Sequence, residues 1–384
     1  MAETLQTKIV RDPAVVRALQ TEWNALLNQN GARNIFLSWD WIAAWWSTIC
    51  LEPDLFVIIV RDGANQLIGV APFHRHPLRL FCVAGLKCLR MLGSERLTGA
   101  EYPDLLIRHG AESAVIAAIA GCLREHADEW DCAWIPNVGQ WLAAPKHFAA
   151  LAAKGGFLTR SGPRVFSAIP LPADVESYEQ SLGRNARHHL RRCTKKLLAL
   201  PDTGLVVCDD AAKLEVMLET HVRLNRQRWG GEGKGGTFRF PQRVEFYRHV
   251  AAAGLASGTL GFYGLRVEGE LRALWFGFIG GEIFYSLSLS YDVEFEERTR
   301  TGPANVLFGL MLPLLLQRGV REFDHLGGVS EYKTRWGALP RGGSDILICT
   351  HSFKGRLLHH SAVWPSGRWV VMETPGEPRY DTPD

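Results

Sequence analysis

Apolar and polar positions follow two different periods along the chain, which predicts an α+β protein. Apolar runs of strand length occur at 55–76 and again at 260–291, and Gly-containing turns break each set. The first set turns at Asp62-Gly63, so it predicts a β-hairpin. The second turns at 268–269 and 280–281, so it predicts three strands in a meander. Apolar residues at helical spacing precede both sets.

The two halves of the chain share this order of elements. Each contains helical segments and then a hairpin whose apolar strands flank a turn made of a charged residue and Gly. We therefore predict two tandem copies of one α+β unit, each a mixed, mainly antiparallel sheet flanked by helices. With 384 residues the chain is long enough for two cores. We place the domains at 1–168 and 169–362, with a loosely held, Pro-rich tail at 363–384.

A basic helix is predicted at the start of the second half, between Tyr178 and Leu200. Its cationic and apolar residues fall on opposite faces, and no acid interrupts it from Gly183 onward. Such a face is either solvated or binds an anion: a phosphorylated substrate, a tRNA backbone or an anionic membrane surface. We assign Arg187 and Arg191 to anion binding. The cationic set is Arg184, Arg187, His188, Arg191, Arg192 and Lys195, and the apolar set is Ala186, Leu190, Cys193 and Leu197.

An apolar helix is predicted from Pro303, directly after Thr301 and Gly302. Pro is favoured in the first turn of a helix because its missing N–H would be unpaired there. Gly lets a ligand approach the backbone closely, and the free N–H groups at a helix start attract phosphate. The sequence predicts either an ordinary helix start beside a solvated loop or a phosphate site, which we assign to Thr301, Gly302 and Asn305.

Polar residues are concentrated in the segment FDHLGGVSEYKTRWG that follows this helix. Asp324 is predicted to emerge at the end of a short strand, where the two glycines let the chain turn. Tyr332 and Lys333 supply a phenol and an amine, which can transfer protons or balance charge on a carbonyl oxygen. The alternative for each residue is a salt bridge within a loop.

Composition narrows the class of protein. Hydrophobic residues make up 47% and charged residues 22% of the chain, as in soluble globular proteins, and a net charge of +3 does not by itself indicate nucleic-acid binding. Eight cysteines without C-x-x-C spacing favour free thiols in the cytoplasm. The N-terminal segment lacks the apolar core of a signal peptide, and the longest apolar run, Val306–Leu316, is too short to span a bilayer, so no transmembrane segment is expected. His74 and His76 share one face of a predicted strand without evident partner ligands, so no metal is predicted.

The order of motifs in the second half resembles the FemAB-like branch of the GNAT acyltransferase superfamily, most closely the acetyltransferases related to the CelD cellulose-biosynthesis proteins. The motifs are LRVEGELRALWFGF, YSLSLSYD, TGPANVL, LLQRGVREFDHLGG and EYKTRWG. The segments FLSWDWIAAWW and YEQSLGRNARHHLRRCTKKL extend the likeness over most of the chain. The resemblance implies two tandem GNAT-like domains with the cleft in the second. It also implies transfer of an acyl group, in first place acetyl, from acyl-CoA to an amine or hydroxyl of a small-molecule or saccharide acceptor, in polysaccharide or cell-envelope synthesis.

The resemblance also implies roles for individual residues. Gly302 and the helix after it would face the phosphates of the donor. Asp292, Asp324, Tyr332 and Lys333 would surround the reacting atoms in a single hollow. This chain has Gly302-Pro303 where the family often has Pro-Gly, so the donor stays open between acyl-CoA, acyl carrier protein and aminoacyl-tRNA.

Two other functions stay open beside a CoA-dependent enzyme. One is a FemAB-type ligase that uses aminoacyl-tRNA, whose backbone the basic helix would suit. The other is a non-catalytic module that uses the same helix to hold an anionic polymer or to contact a membrane surface. The three functions differ in whether CoA thioesters bind and in how strongly salt weakens binding.

Overall fold

The structure is a computed structural model that describes residues 5–29, 34–80, 83–230, 236–361 and 370–371. These residues form two compact units. Unit 1 contains the chain up to Trp46, Cys50–Arg164 and the chain from Gly342 onward. Unit 2 contains Ser47–Ile49 and Val165–Arg341.

Helices and strands follow one another in groups along the chain. The first part contains β1 (Gln6–Val10), α1 (Pro13–Ala18), α2 (Gln20–Gln29), a short 3-10 helix (Ile35–Leu37), α3 (Trp39–Thr48), β2 (Asp54–Arg61), β3 (Leu67–Leu80), β4 (Val83–Met91), β5 (Leu106–Ile107), α4 (Glu112–Glu125), β6 (Cys132–Gly139), α5 (Ala144–Gly155) and β7 (Leu158–Pro170). The remainder contains α6 (Val175–Ser181), α7 (Arg184–Leu198), β8 (Gly204–Val207), α8 (Ala211–Gly230), α9 (Pro241–Ala256), β9 (Leu260–Val267), β10 (Glu270–Gly280), β11 (Ile283–Tyr291), α10 (Val293–Thr299), α11 (Pro303–Gln317), β12 (Glu322–Gly327), α12 (Glu331–Arg335), β13 (Leu339–Cys349), α13 (Phe353–His360) and β14 (Val370–Val371).

The sheet of unit 1 has the strand order β1-β2-β3-β4-β6-β13, and β5 and β14 also pair with β3. Its neighbouring strands are antiparallel except β4 and β6. The predicted hairpin is confirmed as β2 and β3, where Arg61 pairs with Leu67 and the N–H of Asp62 donates to the carbonyl of Gln66 at 3.0 Å. One face of this sheet packs against α4 and α5 to form the main core of the unit.

The sheet of unit 2 has the strand order β7-β12-β11-β10-β9-β8. The predicted meander is confirmed as β9, β10 and β11, which pair antiparallel in sequence. Its turns contain residues in the left-handed region, with φ of 54° at Glu268, 80° at Gly269 and 61° at Gly281. Gly adopts this conformation without a steric penalty, which is why Gly marks both turns in the sequence.

Helices cover both faces of the sheet in unit 2. Tyr263 and Trp275 belong to the core under α7 and α11. Their chain neighbours Phe262 and Phe276 point the other way and contact the rings of His221 on α8 and Tyr247 on α9. This alternation is the period of two that a strand buried on both sides requires.

The predicted basic helix is confirmed over α7, while the residues before it form the separate helix α6. The cationic residues of α7 point outward, with Arg187 half-buried and the other arginines exposed. The apolar residues of the opposite face are buried against α11 and the sheet. They are Ala186, Leu190, Cys193 and Leu197.

The predicted fold class is confirmed, since each unit has a mixed, mainly antiparallel sheet flanked by helices. The units divide the chain after Arg164, close to the predicted boundary at 168. The second predicted domain, 169–362, differs from unit 2 at its end. Residues from Gly342 group with unit 1 because β13 pairs with β6, with Cys349 opposite Cys132. The predicted tail at 363–384 lies outside the described residues, apart from 370–371.

Three further findings bear on the predictions from composition. The described cysteines are free thiols, and all of them except Cys50 are buried, while Cys82 lies outside the described residues. Among the described helices, none combines the length and apolar character that a membrane crossing requires. Within the described ranges, no group of three or more His, Cys, Asp or Glu side chains is placed to hold a metal ion.

Candidate active site

A gap opens between two parallel strands of unit 2. Strands β11 and β12 pair over three residues only, Ile283 with Glu322, Phe284 with Phe323 and Tyr285 with Asp324. Beyond Tyr285 and Asp324 the strands continue to Tyr291 and Gly327 without pairing to each other. We call this region the β11–β12 gap. Along it, the edge of β11 that faces β12 is not paired with that strand.

A β-bulge in β11 lies at the start of the gap. In the pairing with β10, Phe276 stands opposite Ser288 and Gly277 opposite Ser286, so one residue of β11 is extra. A Cβ atom at Gly277 would lie 2.3 Å from the carbonyl oxygen of Tyr285, closer than any side chain can come. Gly277 therefore permits the bulge, which bends β11 at the place where its pairing with β12 ends.

Asp324 stabilises the bend at which β12 leaves β11. Its side chain is 1% exposed. Oδ1 accepts a hydrogen bond from the N–H of Leu326 at 2.7 Å, and Oδ2 lies 3.2 Å from Nη2 of Arg341. Leu326 has a φ of 59°, an unfavourable value for a side chain of this kind, so the buried carboxylate maintains a strained turn. Arg341 also donates to both carboxylate oxygens of Glu322 at 3.0 Å.

Lys333 holds the loop that follows β12. Its ammonium donates to the carbonyl oxygens of His325 at 3.1 Å, Gly327 at 2.8 Å and Gly328 at 3.0 Å. A lysine has three N–H donors, and here three carbonyl groups of one loop accept them. The structure thus gives Lys333 a role in the shape of the gap, and its predicted part in catalysis stays a prediction.

Asp292 lies at the far end of β11 and begins α10. Its carboxylate accepts from the N–H of Phe295 at 2.9 Å and from Nη1 of Arg272 at 2.7 Å. Both contacts are those of a helix cap with an ion pair. Asp292 therefore fixes the direction in which the chain leaves β11, and its contact with reacting atoms stays a prediction.

Helix α11 begins without a side-chain cap, at Gly302. A Cβ atom at Gly302 would lie 2.4 Å from Nδ2 of Asn305, so the backbone here is tightly enclosed. Oδ1 of Asn305 is buried and has no hydrogen-bond partner among the described residues. Thr301 is buried, and its hydroxyl lies 2.7 Å from that of Thr299. The helix start therefore has N–H groups without a side-chain cap, which suit an anion, and an unpartnered amide oxygen, which would accept a hydrogen bond from a donor such as an amide N–H.

Arg187 and Arg191 make their contacts with the segment around α6. Nη2 of Arg187 donates to the carbonyls of Gln180 and Leu182, each at 3.1 Å. Arg191 forms an ion pair of 2.6 Å with Glu179. The structure gives these arginines local partners, and their predicted contact with a donor stays a prediction.

Tyr332 belongs to a polar group that the sequence did not indicate. We call Arg228, Tyr291, Glu296 and Tyr332, which come from four elements, the Tyr332 cluster. The guanidinium carbon of Arg228 lies 4.6 Å from the ring centroid of Tyr291, and Glu296 raises the pKa of the Tyr291 phenol. Although 37% of the Tyr332 surface is exposed, packing around its phenol raises the pKa, as do Tyr291 and Glu296. Burial likewise raises the pKa of Glu296.

The sequence analysis indicated the segments of only two residues of this cluster. Tyr291 and Tyr332 lie in segments that already pointed to chemistry, but Arg228 ends a long helix and Glu296 lies in a charged loop-like stretch. Charged residues in such stretches are usually solvated, so nothing in the local pattern separates these two from their neighbours. Their proximity depends on the sheet that aligns the ends of α8 and β11.

His221, on helix α8, is hydrogen-bonded to two serines of β11. It is fully buried, with Nδ1 2.6 Å from Oγ of Ser290 and Nε2 3.0 Å from Oγ of Ser288. Both serines lie on the part of β11 that borders the gap. Burial lowers the pKa of His221 to about 3, so the imidazole is neutral and one nitrogen donates while the other accepts. The sequence analysis did not single out this residue.

This neutral histidine is expected to make the protein sensitive to acid. The unfolded chain binds a proton at His221 below about pH 6.5, whereas the folded chain binds it only near pH 3. At pH 7 the titration of His221 therefore leaves the free energy of unfolding almost unchanged. At pH 5 it lowers the free energy of unfolding by about 2 kcal/mol. Urea unfolding of the wild type and of His221→Gln at the two pH values measures this. The variant should lose less stability on acidification, and an equal loss in both proteins would contradict the assignment.

Unit 1 has a second pair of short-paired parallel strands, but side chains fill the space beside it. Strands β4 and β6 pair at Cys88–Cys132 and at Leu89–Ala133. Beyond them, the guanidinium carbon of the buried Arg90 lies 5.0 Å from the ring centroid of Trp134. The position beside these strands is thus occupied by the protein itself.

One comparison with known proteins covers the segment that contains the β11–β12 gap. Residues 184–334 match the family model described as an acetyltransferase (GNAT) domain. We call this matched segment the GNAT-type domain. It includes β11, α11, β12 and the whole Tyr332 cluster.

Solved structures extend the likeness to nearly the whole chain. The crystal structure of FemX matches with a TM-score of 0.62 and 11% identity, over 92% of this chain and 100% of its own. A conserved protein of unknown function from Bacteroides thetaiotaomicron VPI-5482 matches with a TM-score of 0.54 and 12% identity, over 90% of this chain and 99% of its own. No curated protein matches the sequence.

The predicted FemAB-like GNAT architecture is confirmed at the level of domain and fold. The GNAT-type domain, residues 184–334, lies within unit 2. The likeness in fold to FemX covers 92% of this chain and so includes residues of both units. The relation to CelD-type proteins stays a prediction.

Proposed function

We propose that the chain is an acyltransferase that moves an acyl group, in first place acetyl, from acyl-CoA to an amine or a hydroxyl. The observation that carries this proposal is that the β11–β12 gap and the uncapped start of α11 both lie inside the GNAT-type domain. An elongated thioester can place its acyl end between the strands and its phosphates at the helix start.

The residues around the gap fit such a donor. The edge of β11 beyond Tyr285 is not paired with β12, so its main-chain groups can pair with the amide groups of an extended ligand. The helix start offers N–H groups at Gly302 and an unpartnered oxygen on Asn305. Acyl-CoA supplies the activated thioester, and the protein supplies position and polarisation.

Transfer would be direct, without a covalent intermediate on the protein. Burial raises the pKa of the Cys208 thiol to about 11, so this cysteine of unit 2 is a poor nucleophile. The phenol of Tyr332 is protonated at neutral pH, and its raised pKa suits a hydrogen bond donated to the departing sulfur better than transfer of the proton. Asp324 and Lys333 maintain the walls of the gap.

Replacing Gly302 with Ala is expected to weaken donor binding at least tenfold while lowering the free energy of unfolding by about 1 kcal/mol. The new methyl group would displace the Asn305 side chain, because its Cβ would lie 2.4 Å from Nδ2. Isothermal titration with acetyl-CoA and with free CoA measures the change. The control is Gly183→Ala, since Gly183 also begins a helix without a side-chain cap and a Cβ atom there would meet nothing within 4 Å. Equal donor affinity in both variants would contradict binding of the donor's phosphates at the start of α11.

An aminoacyl-tRNA-dependent ligase of the FemAB type is the second candidate. The FemX-like fold and the outward cationic face of α7 favour it. A tRNA substrate predicts activity that RNase abolishes and binding that weakens steeply with salt, whereas a CoA enzyme resists RNase. A non-catalytic anion-binding module would show the salt dependence without any thermal shift from CoA thioesters.

The setting of the reaction is part of the proposal. Free thiols fit a reducing compartment, so we place the protein in the cytoplasm. An acceptor from polysaccharide or cell-envelope synthesis is suggested by the resemblance to CelD-type proteins alone. Products analysed by mass spectrometry after incubation with labelled acetyl-CoA and candidate acceptors would decide between amine and hydroxyl acceptors.

A further inference from the structure

We propose that the Tyr332 cluster binds the acceptor, and that this acceptor carries a carboxylate close to its nucleophilic amine or hydroxyl. The inference rests on the proposed function in one respect: it places the acceptor beside the thioester end of the donor. The cluster lies at the end of β11, the strand whose unpaired edge borders the gap. An acceptor held there would reach a carbonyl placed between the strands.

Arg228 supplies the charge that recognises the carboxylate. Its guanidinium is stacked between two rings, 4.6 Å from the centroid of Tyr291 and 4.8 Å from that of Trp229. Stacking fixes the plane of the guanidinium and leaves its edge for hydrogen bonds. Arg228 is exposed, and within the described residues no carboxylate forms an ion pair with it. A planar, bidentate partner such as a carboxylate fits this edge.

Glu296 and the two phenols supply the opposite polarity. Glu296 is half-buried and raises the pKa of the phenols of Tyr291 and Tyr332. A carboxylate beside two hydroxyls accepts hydrogen bonds from an amine or a hydroxyl. The cluster thus presents one cation and one acid, which matches a ligand with one anionic and one hydrogen-donating group.

Paired ligands test the inference directly. The twenty common amino acids are titrated against the full chain, each beside its carboxamide, with acetyl-CoA present and absent. We expect at least one amino acid to bind ten or more times tighter than its carboxamide. Arg228→Met should remove that preference, and Glu296→Gln should weaken both members of the pair.

The control variant is Arg223→Met, which removes another exposed arginine of α8 and should keep the preference. Equal affinity for acid and carboxamide in the wild type overturns the inference, as does the same loss in Arg223→Met. Melting temperatures of the two arginine variants show whether both remain folded. If the preference depends on Arg228 but acetyl-CoA neither binds nor reacts, the carboxylate subsite stands and the proposed donor is wrong.

Discussion

Replacing Asp324 with Ala is expected to lower the free energy of unfolding by about 3–5 kcal/mol. The substitution leaves the N–H of Leu326 without its acceptor and removes one carboxylate from Arg341, and Asp324 itself is almost fully buried. The turn at Leu326 then loses the contact that offsets its left-handed backbone. Urea unfolding and thermal melting measure the loss. Because β12 borders the β11–β12 gap, the Asp324→Ala protein should also bind acetyl-CoA more weakly.

The matched control is Glu322→Ala, on the same strand and at the same arginine. Glu322 binds Arg341 through both oxygens, but its side chain is 28% exposed, so water replaces it at low cost. We expect a loss of about 1 kcal/mol or less. Asp324→Asn should fall between the two, because an amide oxygen can still accept from Leu326. A loss for Asp324→Ala no larger than that for Glu322→Ala would show that the buried carboxylate does not stabilise the bend.

Replacing Lys333 with Met is expected to lower the free energy of unfolding by about 2–4 kcal/mol and to reduce acyl transfer further than this loss explains. Three carbonyl groups lose their donor at once, at His325, Gly327 and Gly328. The loop after β12 should then become mobile, so that one side of the β11–β12 gap no longer has a defined position. Hydrogen exchange of residues 325–330 and steady-state kinetics measure the two effects.

Lys196→Met is the control for this change. Lys196 also donates to a main-chain carbonyl, that of Thr299 at 2.7 Å, but it makes one such bond and is exposed. Its loss should cost less than about 1 kcal/mol and leave exchange at 325–330 unchanged. If Lys333→Met remained as stable as Lys196→Met while transfer stopped, Lys333 would act in the chemistry rather than on the loop.

Local pattern was sufficient for the elements that frame the site. The turn at Glu268-Gly269, the buried face of α7 and the start of α11 at Pro303 all depend on neighbours in sequence, and the structure shows each of them. Turn residues, helical period and Pro preference act over a few positions. The same reasoning located the segments that border the gap.

The contacts within the site depend on distant segments, so the sequence could not supply them. Asp324 and Lys333 were predicted as chemical groups because their types allow it, yet their partners are Arg341 and the carbonyls of one loop. Arg228 meets Tyr291 only because α8 packs along β11. The pairing of β13 with β6, which returns the end of the chain to unit 1, likewise has no local signature. Sequence periodicity reports the face of a residue and not its partner.

The hydrogen bonds of Lys333 have a chemical consequence if the donor is a thioester, as proposed. A primary amine close to an activated acyl group is itself a target for acylation. Three carbonyl oxygens take up the N–H bonds of this amine. Under the proposed function, Lys333 would therefore not compete with the acceptor for the acyl group.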